Sequence, residues 1–361
     1  MTIPKIATTS KSLSSLGGLL PMKRLADSLL LVLRCTQPNR SQKFQNMVLG
    51  FAAGAECLDD MNHLHEDDGF DSLCSRSYTA KTYGNFLRTF KERDCYQLNQ
   101  SLIELSLRLR HQVFPGNKPF ILDIDSTSNR QFGLKMQGVE LNYKGFRSLD
   151  TIQAFDEHGL QYWHDVRPGA TFSANGAGQI IQDVFGKMKF SKNRRLLRAD
   201  SAFCNSEVFR ACHAKNVGFV ITFRQNMLDR LLPFVYDWKP AQRQGSMRFY
   251  DGRDCEIGTC VYHLQSAPET LRVVVIRAKK KTPQQTWIVE DGYDYYAWVS
   301  NIGSHEMNHQ KLIQFYRKRG HAENFIRECK NGFDLHHYPC LQLTANKAYG
   351  LISAFAYSMT R

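Results

Sequence analysis

The sequence predicts a mixed α/β protein in which an all-helical N-terminal segment precedes a sheet-containing core with a β-rich insertion. Three changes of pattern along the chain lead to this prediction. Apolar residues recur every three or four positions from residue 23 to about 111, which is the period of amphipathic helices. After Pro119, short apolar runs alternate with helical patterns, as they do in α/β sheets. Between residues 226 and 300 this alternation stops, and the chain is rich in strand patterns joined by polar turns.

The composition points to a polyanionic partner. The 361 residues include 47 Lys and Arg against 34 Asp and Glu, a formal net charge of +13, which favours nucleic acid or an anionic membrane surface. The most apolar run, Leu29–Leu33, is far shorter than the roughly 20 residues that span a bilayer, and the N-terminus lacks the pattern of a signal peptide. The ten cysteines include no Cys-x-x-Cys pair, so we expect reduced thiols and a cytoplasmic location.

Changes of composition divide the chain into five predicted segments. Residues 1–22 are rich in Ser, Thr, Gly and Lys, and we expect them to be mobile. The helical pattern after them ends at the Phe-Pro-Gly-Asn cluster of residues 114–117, a combination typical of loops. The predicted segments are the mobile residues 1–22, a helical domain over 23–114, a first part of the core over 115–225, the β-rich insertion over 226–300 and a second part of the core over 301–361.

Strands and helices are expected to alternate through the core. The first predicted strand is Phe120–Asp125, and a hairpin is predicted from two runs that flank the Glu-His-Gly turn at residues 157–159. The next elements are a helix over 178–188, a strand over 195–199, a helix over 206–215 and a strand over 217–223. Later strands are predicted at 249–250, 257–264, 271–276 and 295–300, followed by one long helix over 306–330 and a last helix from residue 343.

Three acidic residues are the candidates for chemistry. Asp125 ends the first predicted strand, Asp200 follows the predicted strand at 195–199, and Glu323 lies on the long predicted helix. Functional sites of open α/β sheets gather beyond the carboxyl ends of strands, and carboxylates gathered there need a compensating charge, usually a divalent metal. One Asp in such a place is more often a turn cap, but two of them with Glu323 favour a metal site.

The long predicted helix carries a stripe of polar residues. Its members, at offsets 0, 3, 7 and 14, are Tyr316, Arg319, Glu323 and Lys330. At 3.6 residues per turn these positions lie within an arc of roughly 60°. The ordinary explanation of such a stripe is a solvated helix face. An acid flanked by two cations also suits a phosphate backbone held beside a metal ion.

These residues resemble those of a known family. The spacing Tyr316-x2-Arg319-x3-Glu323-x6-Lys330 is similar to the Tyr-Arg-Glu-Lys signature of bacterial insertion-sequence transposases of the DDE class, the transposase DDE domain group 1. The similarity extends to Asp-Ser-Thr at 125–127, to Arg-Ala-Asp-Ser-Ala-Phe at 198–203 and to residues 54–71. It spans the chain from about residue 25 to residue 361.

The resemblance implies a ribonuclease-H-like catalytic core, interrupted by the β-rich insertion and preceded by a helical DNA-binding domain. It implies that Asp125, Asp200 and Glu323 are catalytic and hold two Mg²⁺ ions, with Mn²⁺ as a substitute. Tyr316, Arg319 and Lys330 would bind the DNA phosphates around the cut. The implied enzyme binds the terminal inverted repeats of an insertion sequence, cleaves double-stranded DNA as an endonuclease and transfers the ends to target DNA. Such an enzyme would act as a dimer on paired ends, associated with the bacterial nucleoid.

Alternatives stay open for the first ligand and for the activity. Asp123 lies on the same strand face as Asp125 because side chains alternate along a strand, although the family pattern of Ser or Thr directly after the catalytic Asp favours Asp125. The sequence stops inside a predicted helix, where family members commonly continue. This favours a truncated or degenerate element product that binds DNA without completing transposition. A metal-dependent nuclease of the same fold, without strand transfer, is the other alternative.

Overall fold

A computed structural model of the protein describes residues 19–24, 38–114, 118–133, 135–188, 195–241, 253–263, 267–280 and 292–361. Most of the segment predicted to be mobile, residues 1–18, lies outside this range, as does the strand predicted at 249–250. The chain divides into two compact units. One contains the described residues up to Ser101 together with Lys135–Gln137 and Glu328–Arg361, and the other contains Leu102–Leu134 and Gly138–Arg327.

The described elements begin and end with helices, and the strands lie between them. The N-terminal helices are α1 (Pro38–Ala52), α2 (Asp60–His65), α3 (Asp68–Cys74), α4 (Ala80–Leu87) and α5 (Glu92–Val113). The next elements are β1 (Phe120–Arg130), β2 (Glu140–Leu141), β3 (Arg147–Asp156), β4 (Gln161–Pro168), α6 (Ala177–Gly186), β5 (Arg195–Ala199), α7 (Ser206–Ala214), β6 (Gly218–Thr222) and α8 (Gln225–Leu231). The last are β7 (Tyr236–Pro240), β8 (Cys255–Tyr262), β9 (Leu271–Lys279), β10 (Tyr293–Ser300), α9 (His309–Arg317), α10 (Gly320–Gly332) and α11 (Leu343–Thr360).

The core of the first unit forms between α1 and α11, at opposite ends of the chain. Phe44 packs edge-on against Phe355 with ring centroids 5.3 Å apart, and Phe51 packs against Tyr349 at 5.1 Å. Helix α11 is buried almost throughout, which explains its small and apolar residues, because a helix that is apolar all round belongs in a core. The described helices include none that is both long and apolar enough to cross a bilayer.

The second unit contains one large mixed sheet, so the protein is of the mixed α/β class. The ten described strands are arranged in the order β2-β3-β1-β5-β6-β10-β9-β8-β7, with β4 paired to β3. Strand β1 runs antiparallel to β3 and parallel to β5, and β5 runs parallel to β6. The antiparallel pairing of β3 with β4 confirms the hairpin predicted around residues 157–159.

The β-rich stretch extends this same sheet. Strand β10 pairs with β6 in antiparallel register, and β9, β8 and β7 continue outwards from β10. The Val273–Ile276 run of β9 is completely buried, so side chains on both faces of this strand are covered. An interior strand covered on both faces favours such a continuous apolar run over alternation. Residues predicted as an insertion therefore complete one edge of the central sheet.

Strand β1 is longer than predicted, and Asp125 lies inside it instead of at its end. The ladder between β1 and β3 continues from Leu122 opposite Asp156 to Arg130 opposite Ser148. The partner strand β3 thus supplies hydrogen bonds beyond the point at which the pairing with β5 stops. The placement of Asp125 at a strand end was wrong because the local apolar run ends before the pairing does.

The long helix predicted over residues 306–330 is also wrong, because two helices occupy this stretch. Helix α9 ends at Arg317 and α10 begins at Gly320. The Arg319 amide donates to the carbonyl of Tyr316, and the Ala322 amide donates to the carbonyl of Arg319, both at 2.8 Å. These tighter i→i−3 bonds replace the regular helical pattern next to a glycine, which is a poor helix former.

Candidate functional site

Parallel pairing of β1 with β5 brings two of the predicted carboxylates together. The register places Asp123 opposite Arg198 and Ile124 opposite Ala199. Asp125 and Asp200 are therefore the next residues along the two strands, one inside β1 and one directly after β5. The Asp200 carboxylate accepts a hydrogen bond from the Ala202 amide at 2.9 Å and caps a short 3-10 turn. The predicted position of Asp200 directly after a strand is confirmed.

Asp123 shares a strand face with Asp125 but is bound on both carboxylate oxygens by Arg198. Nε and Nη2 of Arg198 donate to the two oxygens at 2.7 and 2.6 Å, and both side chains are fully buried. Nη1 of Arg198 also donates to the Phe315 carbonyl at 2.9 Å, which ties β5 to α9. Breaking such a buried pair leaves an uncompensated charge in the core, so its role is structural. This engagement favours Asp125 over Asp123 as the carboxylate of β1 that is open to a ligand.

Arg319 lies in the turn between α9 and α10 and points at Asp125. Its Nη2 is 2.8 Å from Oδ2 of Asp125, and its Nη1 is 3.9 Å from Oε1 of Glu323. The guanidinium thus stands between two of the three predicted carboxylates. Only 9% of the Arg319 side chain is exposed, because the break between the two helices turns this residue towards the sheet.

Glu323 and Tyr316 flank this turn on the two helices. Glu323 is in the first turn of α10, with 64% of its side chain exposed, and a helix N-terminus is favourable for an acid. The Tyr316 hydroxyl on α9 accepts a hydrogen bond from Oγ1 of Thr222 at 2.6 Å. The Tyr316 ring lies 5.8 Å from that of buried Trp298. Tyr316 therefore anchors α9 to the ends of β6 and β10.

Lys330 lies in the last turn of α10, two helical turns after Glu323 and so roughly 10 Å further along the axis. It belongs to the unit that contains α11, and its charge acts on the neighbouring His336. The four residues of the predicted stripe therefore do not share one helix. Tyr316 is on α9, Arg319 is in the turn, and Glu323 and Lys330 are on α10.

Asp200 and Glu323 act electrostatically on Asp125. The pKa of Asp125 is raised to about 6, chiefly by burial and in addition by the negative charges of Asp200 and Glu323. The Arg319 guanidinium and the Ser126 amide oppose this by lowering the pKa of Asp125. Burial also raises the pKa of the Tyr316 hydroxyl, and both aspartates contribute. The group has three acids and one guanidinium, so additional positive charge would stabilise it.

The donor set of Asp125, Asp200 and Glu323 fits a hard divalent cation. Carboxylate oxygens are the ligands that Mg²⁺ and Mn²⁺ prefer, and Arg319 supplies positive charge to the same group. These acids are more widely spaced than a closed metal site. Among residues that the structure describes, the trio that brings one possible ligand atom from each residue within 4.8 Å of the others is a different one, Asp334, His336 and His337. The sequence does contain a signal for this trio, the spacing Asp-x-His-His, which differs from the Cys-x-x-Cys pairs of common zinc sites.

Comparison with known proteins identifies one family for nearly the entire chain. The family model described as transposase DDE domain group 1 matches residues 5–361. That range contains the whole of the central sheet and all six residues singled out from the sequence. No curated protein matches the chain.

Proposed function

Because the chain belongs to the family of transposases with a DDE domain of group 1, we propose that it cuts DNA at the terminal inverted repeats of an insertion sequence and joins the ends to target DNA. The observation that carries this proposal is the placement of Asp125 beside Asp200, where the parallel pairing of β1 with β5 ends. Glu323 acts on Asp125 electrostatically from the helix that follows the sheet. Acids from three separate parts of the chain thus belong to one charged group.

The arrangement of strands around Asp125 supports a ribonuclease-H-like core. Strands β4 and β3 are antiparallel neighbours on one side of β1, whereas β5 and β6 are parallel neighbours on the other. Asp125 thereby lies on the strand where the two arrangements meet. Strands β7 to β10 lie in the chain between β6 and the helix that carries Glu323, where the family resemblance expects an insertion.

Asp125, Asp200 and Glu323 are the residues that would hold two Mg²⁺ ions, with Mn²⁺ as a substitute. When bound, such ions activate a water or a DNA 3′-hydroxyl and stabilise the leaving oxygen. The protein contributes the positions of the carboxylates. Asp125 is fixed within a strand, Asp200 is held by the Ala202 amide, and exposed Glu323 is able to adjust. The Arg319 guanidinium compensates the negative charge of Asp125.

Tyr316, Arg319 and Lys330 would contact DNA phosphates near the cut. A guanidinium can bind phosphate through two parallel hydrogen bonds (bidentate binding), whereas an ammonium acts as a point charge. Arg319 already pairs with Asp125, so it would have to exchange that carboxylate for a phosphate. The net charge of +13 and the helical N-terminal residues support double-stranded DNA as the partner. Bringing two element ends together requires at least two copies of the chain on paired ends.

The test uses DNA that flanks the coding region of this chain and carries its short inverted repeats. Asp125→Asn, Asp200→Asn and Glu323→Gln keep the shape of each side chain but remove the charge that a hard cation needs. We expect each variant to lose Mg²⁺-dependent nicking and end joining by at least a hundredfold. Binding of the repeat DNA should hold, because a carboxylate makes no phosphate contact.

Exposed acids on the same unit provide matched controls. Asp229→Asn and Glu306→Gln make the same charge changes and should nick at the parental rate. Parental nicking by the three site variants would refute the site assignment. Nicking without joining in the parent protein would indicate a metal-dependent nuclease. Repeat binding with neither step, in Mg²⁺ or Mn²⁺, would indicate an element product that binds DNA alone.

A further inference from the structure

The loop between α10 and α11 contains a compact group of possible metal ligands. Oδ1 of Asp334 lies 2.8 Å from Nδ1 of His337 and 3.7 Å from Nδ1 of His336. One donor atom from each of the three residues lies within 4.8 Å of the others. We propose that Asp334, His336 and His337 bind a zinc-type transition-metal ion, at a site separate from the carboxylates of the second unit.

The spacing of these donors suits a tetrahedral ion. Zinc binds imidazole nitrogens and carboxylate oxygens at about 2.0–2.2 Å, so two ligands of a tetrahedral site are separated by roughly 3.3 Å. The two distances from the Asp334 oxygen, 2.8 and 3.7 Å, lie on either side of that value. Small side-chain rotations would bring each of these two pairs of donor atoms to that separation.

Asp334 is held in place by its surroundings. It is only 5% exposed, and its backbone has φ of 47°, in the left-handed region that few residues other than glycine adopt. Its second oxygen, Oδ2, accepts a hydrogen bond from the hydroxyl of buried Tyr349 on α11, at 3.2 Å. Metal-binding carboxylates characteristically have such a second partner, which orients them. Strained backbone of this kind concentrates at functional positions.

Glu56 adds negative charge to the surroundings of this group. It lies in the connection between α1 and α2, where its amide donates to the Asp60 carboxylate at 2.8 Å. Burial raises the pKa of Asp334 and lowers that of His336, and the Glu56 charge adds to the first change and opposes the second. The negative charges of Asp334 and Glu56 would favour a divalent ion bound at the two imidazoles.

The donor types distinguish this site from the carboxylate group around Asp125. Imidazole nitrogens favour Zn²⁺, Co²⁺, Ni²⁺ and Cu²⁺, whereas sites made of carboxylates alone suit Mg²⁺ and Mn²⁺. A simpler explanation is an ion pair between Asp334 and His337 that stabilises the turn. That explanation does not account for the position of His336, whose Nδ1 lies 3.7 Å from the same Asp334 oxygen and whose ring centroid lies 3.8 Å from that of His337.

The experiment is a titration of the intact, metal-free protein with Co²⁺, followed by its visible absorption. We expect one Co²⁺ per chain with the intense bands of a tetrahedral ion, displacement by one equivalent of Zn²⁺, and no displacement by excess Mg²⁺. His336→Gln and His337→Gln should each weaken binding by tenfold or more. His337 is 70% exposed, so its substitution should leave the fold intact.

His305→Gln is the matched control, because His305 is exposed and belongs to the other unit. This variant should bind Co²⁺ like the parent protein. Parental affinity in both loop variants, or an equal loss in the control, would overturn the proposal. So would a thiolate-to-cobalt charge-transfer band, which would place the ion on cysteine. The readout is metal binding alone, so its outcome is independent of DNA cleavage.

Discussion

The Arg319 guanidinium lies 2.8 Å from the Asp125 carboxylate and 3.9 Å from that of Glu323. This contact joins the turn between α9 and α10 to the central strand β1. It places one positive charge beside Asp125, whose pKa is raised by burial and by the charges of Asp200 and Glu323. Any cation that binds the same oxygens therefore has to compete with Arg319.

Replacement of Arg319 by Gln should strengthen metal binding while weakening the assembly of paired DNA ends. Removing a unit charge about 5 Å from a divalent ion in a hydrated site is worth about 1–2 kcal/mol, or about tenfold in affinity. The measurement is Mn²⁺ affinity at pH 8, where Asp125 is ionised because its pKa is about 6. Assembly should weaken because a phosphate contact is lost.

Lys318→Gln is the control for Arg319→Gln. It removes the same charge one residue away, from an exposed side chain. Its Mn²⁺ affinity should stay within about twofold of the parent, because solvent screens an exposed charge. An equal gain of Mn²⁺ affinity in both variants would mean that the affinity depends only on the net charge of the protein. Unchanged affinity in Arg319→Gln would show that the guanidinium does not compete with metal.

Asp123→Asn should destabilise the fold, whereas Asp125→Asn should not. Loss of the Asp123 charge leaves Arg198 buried without its counterion, which costs about 3–5 kcal/mol of unfolding free energy. Asp125 differs because its partner Arg319 also lies 3.9 Å from the Glu323 carboxylate, which remains as a counterion, so a neutral Asn should cost no more than about 1 kcal/mol. Denaturant unfolding of both variants measures the contrast.

The double change Asp123→Leu with Arg198→Met provides the control for that prediction. Replacing both members of a buried ion pair by apolar side chains removes the uncompensated charge, and stability should recover at least in part. If Asp123→Asn alone unfolds at the parental denaturant concentration, the pair is not a structural anchor. Asp123 would then again be a candidate for the first metal ligand, in place of Asp125.

His164 should make the fold sensitive to acid. It is completely buried on β4, and burial lowers its pKa to about 3. The unfolded chain binds the proton near pH 6.5, so between that pH and about 3 the folded state loses stability as pH falls. At pH 5 the loss from this group is about 2 kcal/mol.

His164→Gln removes the titrating group and so isolates its contribution. The stability of the parent protein relative to this variant should fall by about 2 kcal/mol between pH 7.5 and pH 5. The comparison does not depend on what the substitution itself costs at pH 7.5. If the free energies of unfolding of the two proteins change equally with pH, His164 keeps an ordinary pKa in the folded state.

Affinity for repeat DNA should depend steeply on salt. Neutralising six or more phosphates releases counterions, so affinity should fall on the order of 10³-fold or more between 50 and 200 mM salt. Lys330→Gln should lower the logarithmic slope by about 1, as expected for one phosphate contact. A flat response in the parent protein would show that its charge of +13 is spread over solvated surface.

Local patterns in the sequence determined the mixed α/β class, the β3–β4 hairpin, the strand that ends before Asp200 and the family. Each of these depends on periodicity or on motifs within a few residues, and such patterns are present in the chain before it folds. The roles assigned to Asp125, Asp200 and Glu323 are still predictions. They follow from the same local motifs.

Tertiary structure alone decided which charges meet. Arg198 binds Asp123 across 75 residues, and Arg319 binds Asp125 from a turn that divides a predicted single helix. Pairing with β3 likewise carried β1 past Asp125 to Arg130. Sequence periodicity records the face of an element that is buried, but not the distant strand or side chain that covers it. Ion pairs and sheet ladders between distant residues form only when the chain brings those partners together.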